Sequence, residues 1–183
     1  MKFTSTDIPG LLVIQAEPFS DQRGQFFRTF AREEFLAHGL DLNFIQHNQA
    51  TNTKRGTWRG LHFQNPPYTE TKLIRCIRGK IWDVVLDLRS GSGTFLKWIS
   101  FELSAEKKNM LLVPAGLAHG YITLEDNSEL IYLHTSSYQP NSEGGIRYDD
   151  PRIGLDLPVP VEVISDRDRS YPFLTTNFTG LEL

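Results

Sequence analysis

The stretch Lys72-Leu-Ile-Arg-Cys-Ile-Arg78, Gly79, Lys80-Ile-Trp-Asp-Val-Val-Leu-Asp-Leu-Arg89 decides the fold. Two runs dense in aliphatic, β-branched and aromatic residues are parted by one glycine, the signature of two strands separated by a turn. The same pattern spreads in both directions. Upstream lie segments 11–15, 25–30, 43–50 and 57–64; downstream lie 94–103, 110–113, 120–124 and 129–135. Turn formers punctuate them, among them Pro66-Pro67, Ser90-Gly-Ser-Gly93, Pro114-Ala-Gly116 and Glu125-Asp-Asn127. Many short strands at roughly 8–12-residue spacing predict an all-β antiparallel sandwich or barrel.

One segment departs from this pattern. Ala31-Arg-Glu-Glu-Phe-Leu-Ala-His38 is built largely of helix formers, carries acids near its start and ends at Gly39, which predicts one short surface helix. Beyond Tyr138 the chain turns to Gln139-Pro-Asn-Ser-Glu-Gly-Gly and then to Pro151, Pro158 and Pro160. With too little periodic apolar sequence for a core of its own, 139–183 reads as a wrapping tail of a single domain spanning 1–183.

The chain has 183 residues, 39% hydrophobic and 22% charged, with a formal net charge of -3. One domain per about 100–200 residues fits that length, and such a chain buries about 70% of its unfolded surface, so it needs no disulfide or metal to fold. The single cysteine, Cys76, has no internal partner and fits a reducing, cytoplasmic setting. The N-terminus MKFTSTDIPG has no apolar core of a signal peptide, and no run approaches a membrane span. With 19 Lys+Arg against 22 Asp+Glu, a nucleic-acid-coating protein is excluded, though an anionic small ligand held by a few arginines is not.

The richest chemical stretch is Arg59-Gly-Leu-His62-Phe-Gln64. Regular alternation would put Trp58, Gly60, His62 and Gln64 on one face and Arg59, Leu61 and Phe63 on the other. A glycine inside a strand marks a bulge or a close approach, and a bulge here would bring Arg59 and His62 to one pocket. Taken alone, His62 is more often a satisfied structural group than a catalyst. Asp83 and Asp87 share a face with Ile81 and Val85, so each needs a cationic partner unless it lies wet at the mouth of the fold. Lys72 and His119 are the candidates. Tyr132 reads by default as a core filler whose hydroxyl reaches water. Ser165-Asp-Arg-Asp168 reads either as a solvated charge run or as a carboxylate brought back to a histidine, where it would fix the imidazole tautomer.

Pro114-Ala-Gly-Leu-Ala-His119-Gly120 resembles the second signature of the cupin superfamily, the jelly-roll barrels. The place of the first signature holds His62-Phe-Gln64 and no His-x-His, so two isolated histidines are too few to hold a metal, and none is expected. His119 stands evenly between a hydrogen-bond partner near the turn and a ligand contact.

In order along the chain, Phe19-Ser-Asp-Gln-Arg23-Gly24, Gln46-His-Asn48, Arg59-Gly-Leu-His62-Phe-Gln, Lys72-Leu-Ile-Arg and Asp83-Val-Val-Leu-Asp87-Leu-Arg89 resemble the dTDP-4-dehydrorhamnose 3,5-epimerase family, metal-free cupin-type epimerases of nucleotide sugars. So do Leu103-Ser-Ala-Glu-Lys-Lys, the Pro114–His119 turn, Tyr132 and Ser165-Asp-Arg-Asp168. The resemblance implies an antiparallel jelly-roll, cupin-like barrel. It also implies cofactor-free inversion of C3 and C5 in a nucleoside diphosphate 4-keto-6-deoxyhexose. By that resemblance His62 is the general base held by Asp168, Lys72 stabilises the enolate oxygen and Tyr132 returns a proton from the opposite ring face. Arg59 and His119 contact the diphosphate or sugar, and Gln46 and Asn48 the nucleotide. Arg23 and Phe26 reach in from the neighbouring subunit of a homodimer. Tyr138, Glu143 and Arg167 also fall on binding positions.

Two positions depart from the family pattern. Arg28 stands where the family commonly has a Glu, and an arginine would suit a base with acceptors, such as cytosine. Leu155-Asp-Leu157-Pro158 lacks the usual Trp before the Pro. The competing expectations are therefore a single-centre epimerase on a CDP- or GDP-linked 4-keto-6-deoxysugar, a non-catalytic sugar-nucleotide-binding barrel and a metal cupin oxygenase.

Overall fold

The computed structural model describes residues 1–183. Six strands form one sheet, in the spatial order β1 (Lys2–Ser5), β2 (Leu12–Gln15), β10 (Asn109–Val113), β7 (Lys72–Arg78), β12 (Ser128–His134) and β5 (Gln46–Asn52). Five form a second, in the order β13 (Glu143–Gly145), β6 (Trp58–Gln64), β11 (Leu117–Thr123), β8 (Lys80–Asp87) and β9 (Trp98–Ser104). A separate hairpin joins β3 (Phe19–Asp21) to β4 (Gly24–Phe26). Every ladder between these strands is antiparallel, so the all-β antiparallel class expected from the strand pattern holds, and the two facing sheets agree with the jelly-roll that the resemblance implies.

Alternation explains how three apolar layers arise from two sheets. Ile74, Cys76, Leu111 and Val113 face Ile81, Val85, Leu117 and Tyr121 between the sheets. Val84, Leu86, Ala118 and Ile122 point the other way and are covered by Ile146, Ile153, Val159 and Leu181 of the tail. Leu73, Met110 and Leu112, on the outer face of the first sheet, are covered by Phe35 of helix α1 (Arg32–Ala37). Because both faces of the central strands are sealed, β10 and β11 are buried at every residue.

The tail contains a second short helix, α2 (Asp166–Ser170), where one helix was expected. Ser165 caps it, its side chain accepting from the Asp168 N–H, so the Ser-Asp-Arg-Asp tetrapeptide is a helical turn rather than a solvated run. Neither helix is long and apolar enough to cross a membrane.

Candidate active site

Three histidine–carboxylate pairs gather between the sheets. His62 Nε2 lies 2.7 Å from Asp168 Oδ1, His119 Nε2 lies 2.8 Å from Asp83 Oδ2, and His134 Nδ1 lies 2.8 Å from Glu70 Oε2. The three imidazoles line one cavity of about 270 Å³, together with Asn48, Arg59, Glu70, Lys72, Tyr121, Tyr132, Tyr138, Glu143 and Arg167.

The strand β6 reaches this cavity through a bulge. His119 of β11 is paired with His62, and Tyr121 with Arg59, so Gly60 and Leu61 together oppose the single Gly120. The extra residue cancels the alternation: Arg59 and His62 both face the cavity while Trp58 and Leu61 join the outer core. Only glycine fits at position 60, where φ is +133° and a Cβ would overlap Gly120 Cα.

Asp168 is buried behind the His62 imidazole. Burial works against its ionisation, but hydrogen bonds from His62 and the Gly60 N–H, with the Arg167 charge nearby, hold its carboxyl below the ordinary carboxylate range. The Asp83 carboxyl is buried completely, and desolvation pushes it upward despite His119. Asp87 is neither wet nor paired with Lys72 or His119; Arg89, Ser92 and Thr94 hold it at the far end of β8. Lys72 pairs instead with Glu70 at 3.3 Å. Tyr132 is half-buried, packed on the inter-sheet core and facing the cavity, and desolvation with the neighbouring Tyr121 and Asp83 pushes its hydroxyl well above the ordinary phenol range. At the mouth, Glu143 Oε2 accepts from Tyr138 Oη at 2.7 Å and from Arg167 Nη1 at 2.8 Å, which ties α2 to β13.

Most of the residues expected at the site converge on it. Gln46 stands one step back, bonded to the Tyr138 N–H and to Asn48. Arg23, Phe26 and Arg28 do not line the cavity of their own chain. Arg23 is forked onto Asp21, Phe26 sits opposite Phe19 on the exposed hairpin, and Arg28 is paired with Glu34 at 3.0 Å. Glu70, His134 and Tyr121 went unread in the sequence. A period-2 signal was available for each: Glu70 shares a parity with Lys72, His134 with Tyr132 and Tyr121 with His119.

This constellation of a histidine backed by a buried aspartate, a buried cavity lysine and a half-buried tyrosine sits on a fold that is matched over most of the chain. A family model for dTDP-4-dehydrorhamnose 3,5-epimerase matches residues 5–176. The chain belongs to the dTDP-4-dehydrorhamnose 3,5-epimerase family. It is an isomerase of that family. The epimerase is 40% identical to the dTDP-4-dehydrorhamnose 3,5-epimerase of Sinorhizobium fredii, over 95% of this chain and 90% of that one. Its structure is similar to that of dTDP-4-dehydrorhamnose 3,5-epimerase from Bacillus anthracis with TDP and PPi bound, at a TM-score of 0.92 and 35% identity, covering 94% of this chain and 99% of the other. It is also similar to dTDP-6-deoxy-D-glucose-3,5-epimerase from Legionella pneumophila in complex with dTDP-4-keto-L-rhamnose, at a TM-score of 0.89 and 33% identity, covering 94% and 92% of the two chains.

Proposed function

We propose that this epimerase converts dTDP-4-dehydro-6-deoxy-D-glucose to dTDP-4-dehydro-L-rhamnose, inverting C3 and C5 by cofactor-free acid–base enolisation within a single domain. The observation that carries the proposal is that His62 and Tyr132 line the same cavity from opposite sheets, one on β6 and the other on β12.

The C4 ketone makes the hydrogens at C3 and C5 removable. His62, whose Nε2 is engaged by ionised Asp168, has Nδ1 left to take the proton, and Asp168 stabilises the imidazolium that forms. As the C–H bond breaks, its electron pair moves onto the ketone oxygen, where the Lys72 ammonium meets the developing charge. Tyr132, protonated and on the facing wall, returns a proton to the carbon from the other side, so the centre inverts. Arg59 and Arg167 supply the positive charge for the diphosphate, with His119 on the sugar and Asn48 and Gln46 toward the nucleotide.

The exposed aromatic pair Phe19 and Phe26, 65% and 77% exposed, with Arg23 between them, supports a homodimer in which this hairpin reaches the site of a second copy. A cytoplasmic enzyme with no nucleic-acid partner fits the charge balance. The bound TDP and dTDP-4-keto-L-rhamnose of the similar structures support the thymidine nucleotide, and Arg28, engaged by Glu34, supplies no argument for another base.

The test is incubation with dTDP-4-dehydro-6-deoxyglucose in D₂O, reading deuterium by NMR. Incorporation at both C3 and C5 is expected. Incorporation at one carbon makes it a single-centre epimerase; exchange of a CDP- or GDP-linked analogue alone reassigns the nucleotide. Tight binding without exchange of any of them makes it a non-catalytic barrel.

A further inference from the structure

Glu70 has no role in the mechanism above, yet it ends the longest side-chain relay in the cavity. The Tyr138 N–H donates to Gln46 Oε1 at 3.0 Å. Gln46 Nε2 donates to Asn48 Oδ1 at 3.3 Å, and Asn48 Nδ2 is 3.3 Å from His134 Nε2. His134 Nδ1 is 2.8 Å from Glu70 Oε2, and the other carboxylate oxygen, Oε1, is 3.3 Å from Lys72 Nζ.

The direction of this chain is fixed at both ends. A backbone N–H can only donate, which sets the Gln46 amide and, through it, Asn48. A carboxylate can only accept, which requires the proton of His134 on Nδ1. An amide nitrogen can only donate, so His134 Nε2 must accept, in agreement from the other side. Both ring nitrogens of His134 are therefore occupied, and unlike His62 it has none left for a substrate. Asn48 keeps one N–H unspent toward the cavity. The ionised form of Glu70 is favoured over its burial by His134 and Lys72.

We propose that Glu70 is a positioning residue: it terminates the Gln46–Asn48–His134 relay, fixing the Asn48 amide toward the ligand, and it holds the Lys72 ammonium in place. Its kinetic consequence rests on the epimerase reading of the site; its tautomeric consequence does not, since that needs no substrate.

The decisive experiment pairs ¹⁵N-detected imidazole NMR of the full chain with steady-state kinetics of Glu70→Gln. In the wild type, His134 shows a protonated Nδ1 and an unprotonated Nε2. In Glu70→Gln, whose amide can donate as well as accept, that fixed tautomer is lost. Over the same change kcat falls and KM rises, each about tenfold, the first through Lys72 and the second through Asn48. A merely structural glutamate would not set the His134 tautomer. A wild-type His134 protonated at Nε2 overturns the proposal, and this reading stands even if the variant does not fold. So does a folded Glu70→Gln with kcat and KM within twofold of wild type, or one that loses activity with the tautomer unchanged. A wild type that turns over no nucleotide sugar sinks the functional reading and leaves the relay to be judged on the NMR.

Discussion

His62 Nε2 lies 2.7 Å from Asp168 Oδ1, although the two residues are 106 positions apart. The imidazole belongs to a central strand and the carboxylate to a short capped helix in the tail, so the pair exists only because the tail folds back over the five-stranded sheet. Replacing Asp168 with Asn keeps the shape and removes the charge that stabilises an imidazolium. The expected loss in kcat is about 10²–10⁴-fold, with a much smaller change in KM. Initial rates with dTDP-4-dehydro-6-deoxyglucose check this; a loss under tenfold would show that His62 does not depend on Asp168.

Removing the base and removing the acid should have different signatures. His62→Ala should abolish deuterium exchange at both carbons, since no proton leaves. Tyr132→Phe should still exchange while forming little inverted product, because a proton can leave and return on the His62 side alone. Following isotope content and product configuration in one NMR time course separates the two. A Tyr132→Phe variant that inverts at the wild-type rate would remove Tyr132 from the reaction.

Gly60 is where the bulge meets its neighbour strand. An alanine there carries the strain of a φ of +133° and the overlap of its Cβ with Gly120 Cα. Gly60→Ala should destabilise the fold by about 2–4 kcal/mol, lowering the melting temperature by roughly 10 °C. Thermal melting followed by circular dichroism measures it. A melting point within a degree or two of wild type would mean that the strand can relax without the bulge.

Asp87 should govern part of the acid stability. Burial opposes its ionisation, but hydrogen bonds from Arg89, Thr94 and Ser92 outweigh this and draw it down from 3.8 to about 2. A carboxylate depressed in the folded state contributes stability that is present above its unfolded value and lost as pH falls through the folded one. The contribution is about 2 kcal/mol at neutral pH, disappearing between about pH 4 and pH 2. Urea unfolding of the wild type and of Asp87→Asn across that range tests it, because the variant should lack this component of the pH dependence.

Much of the architecture was legible from alternation. The runs around Gly79 read as strands and are strands, and Asp83 and Asp87, at the parity of the core residues Ile81 and Val85, are fully buried. Their partners were less legible. Asp83 does take His119, but Asp87 takes Arg89, two residues along its own chain, at a point where the strand has ended and parity no longer decides direction. Glu70 and His134 carry no local signal, because a carboxylate before a strand and a histidine at the end of one are ordinary surface features until the register sets Lys72 opposite His134.

Residue types and their spacing are enough for most of the strands, though not for β1, β3 and β13, and for the helix over 31–38, the glycine that permits a bulge at position 60 and the inventory of protonatable groups. These follow from local rules, in which each residue's conformational range and the period of its apolar neighbours suffice. Which groups meet is set by the packing of the two sheets and the tail. The bulge turns Arg59 and His62 the same way, α2 delivers Asp168, and the facing sheets set His62 across the cavity from Tyr132. Such pairings depend on the closing of long loops and on register between strands distant in the chain, and no local preference encodes a distance across two sheets.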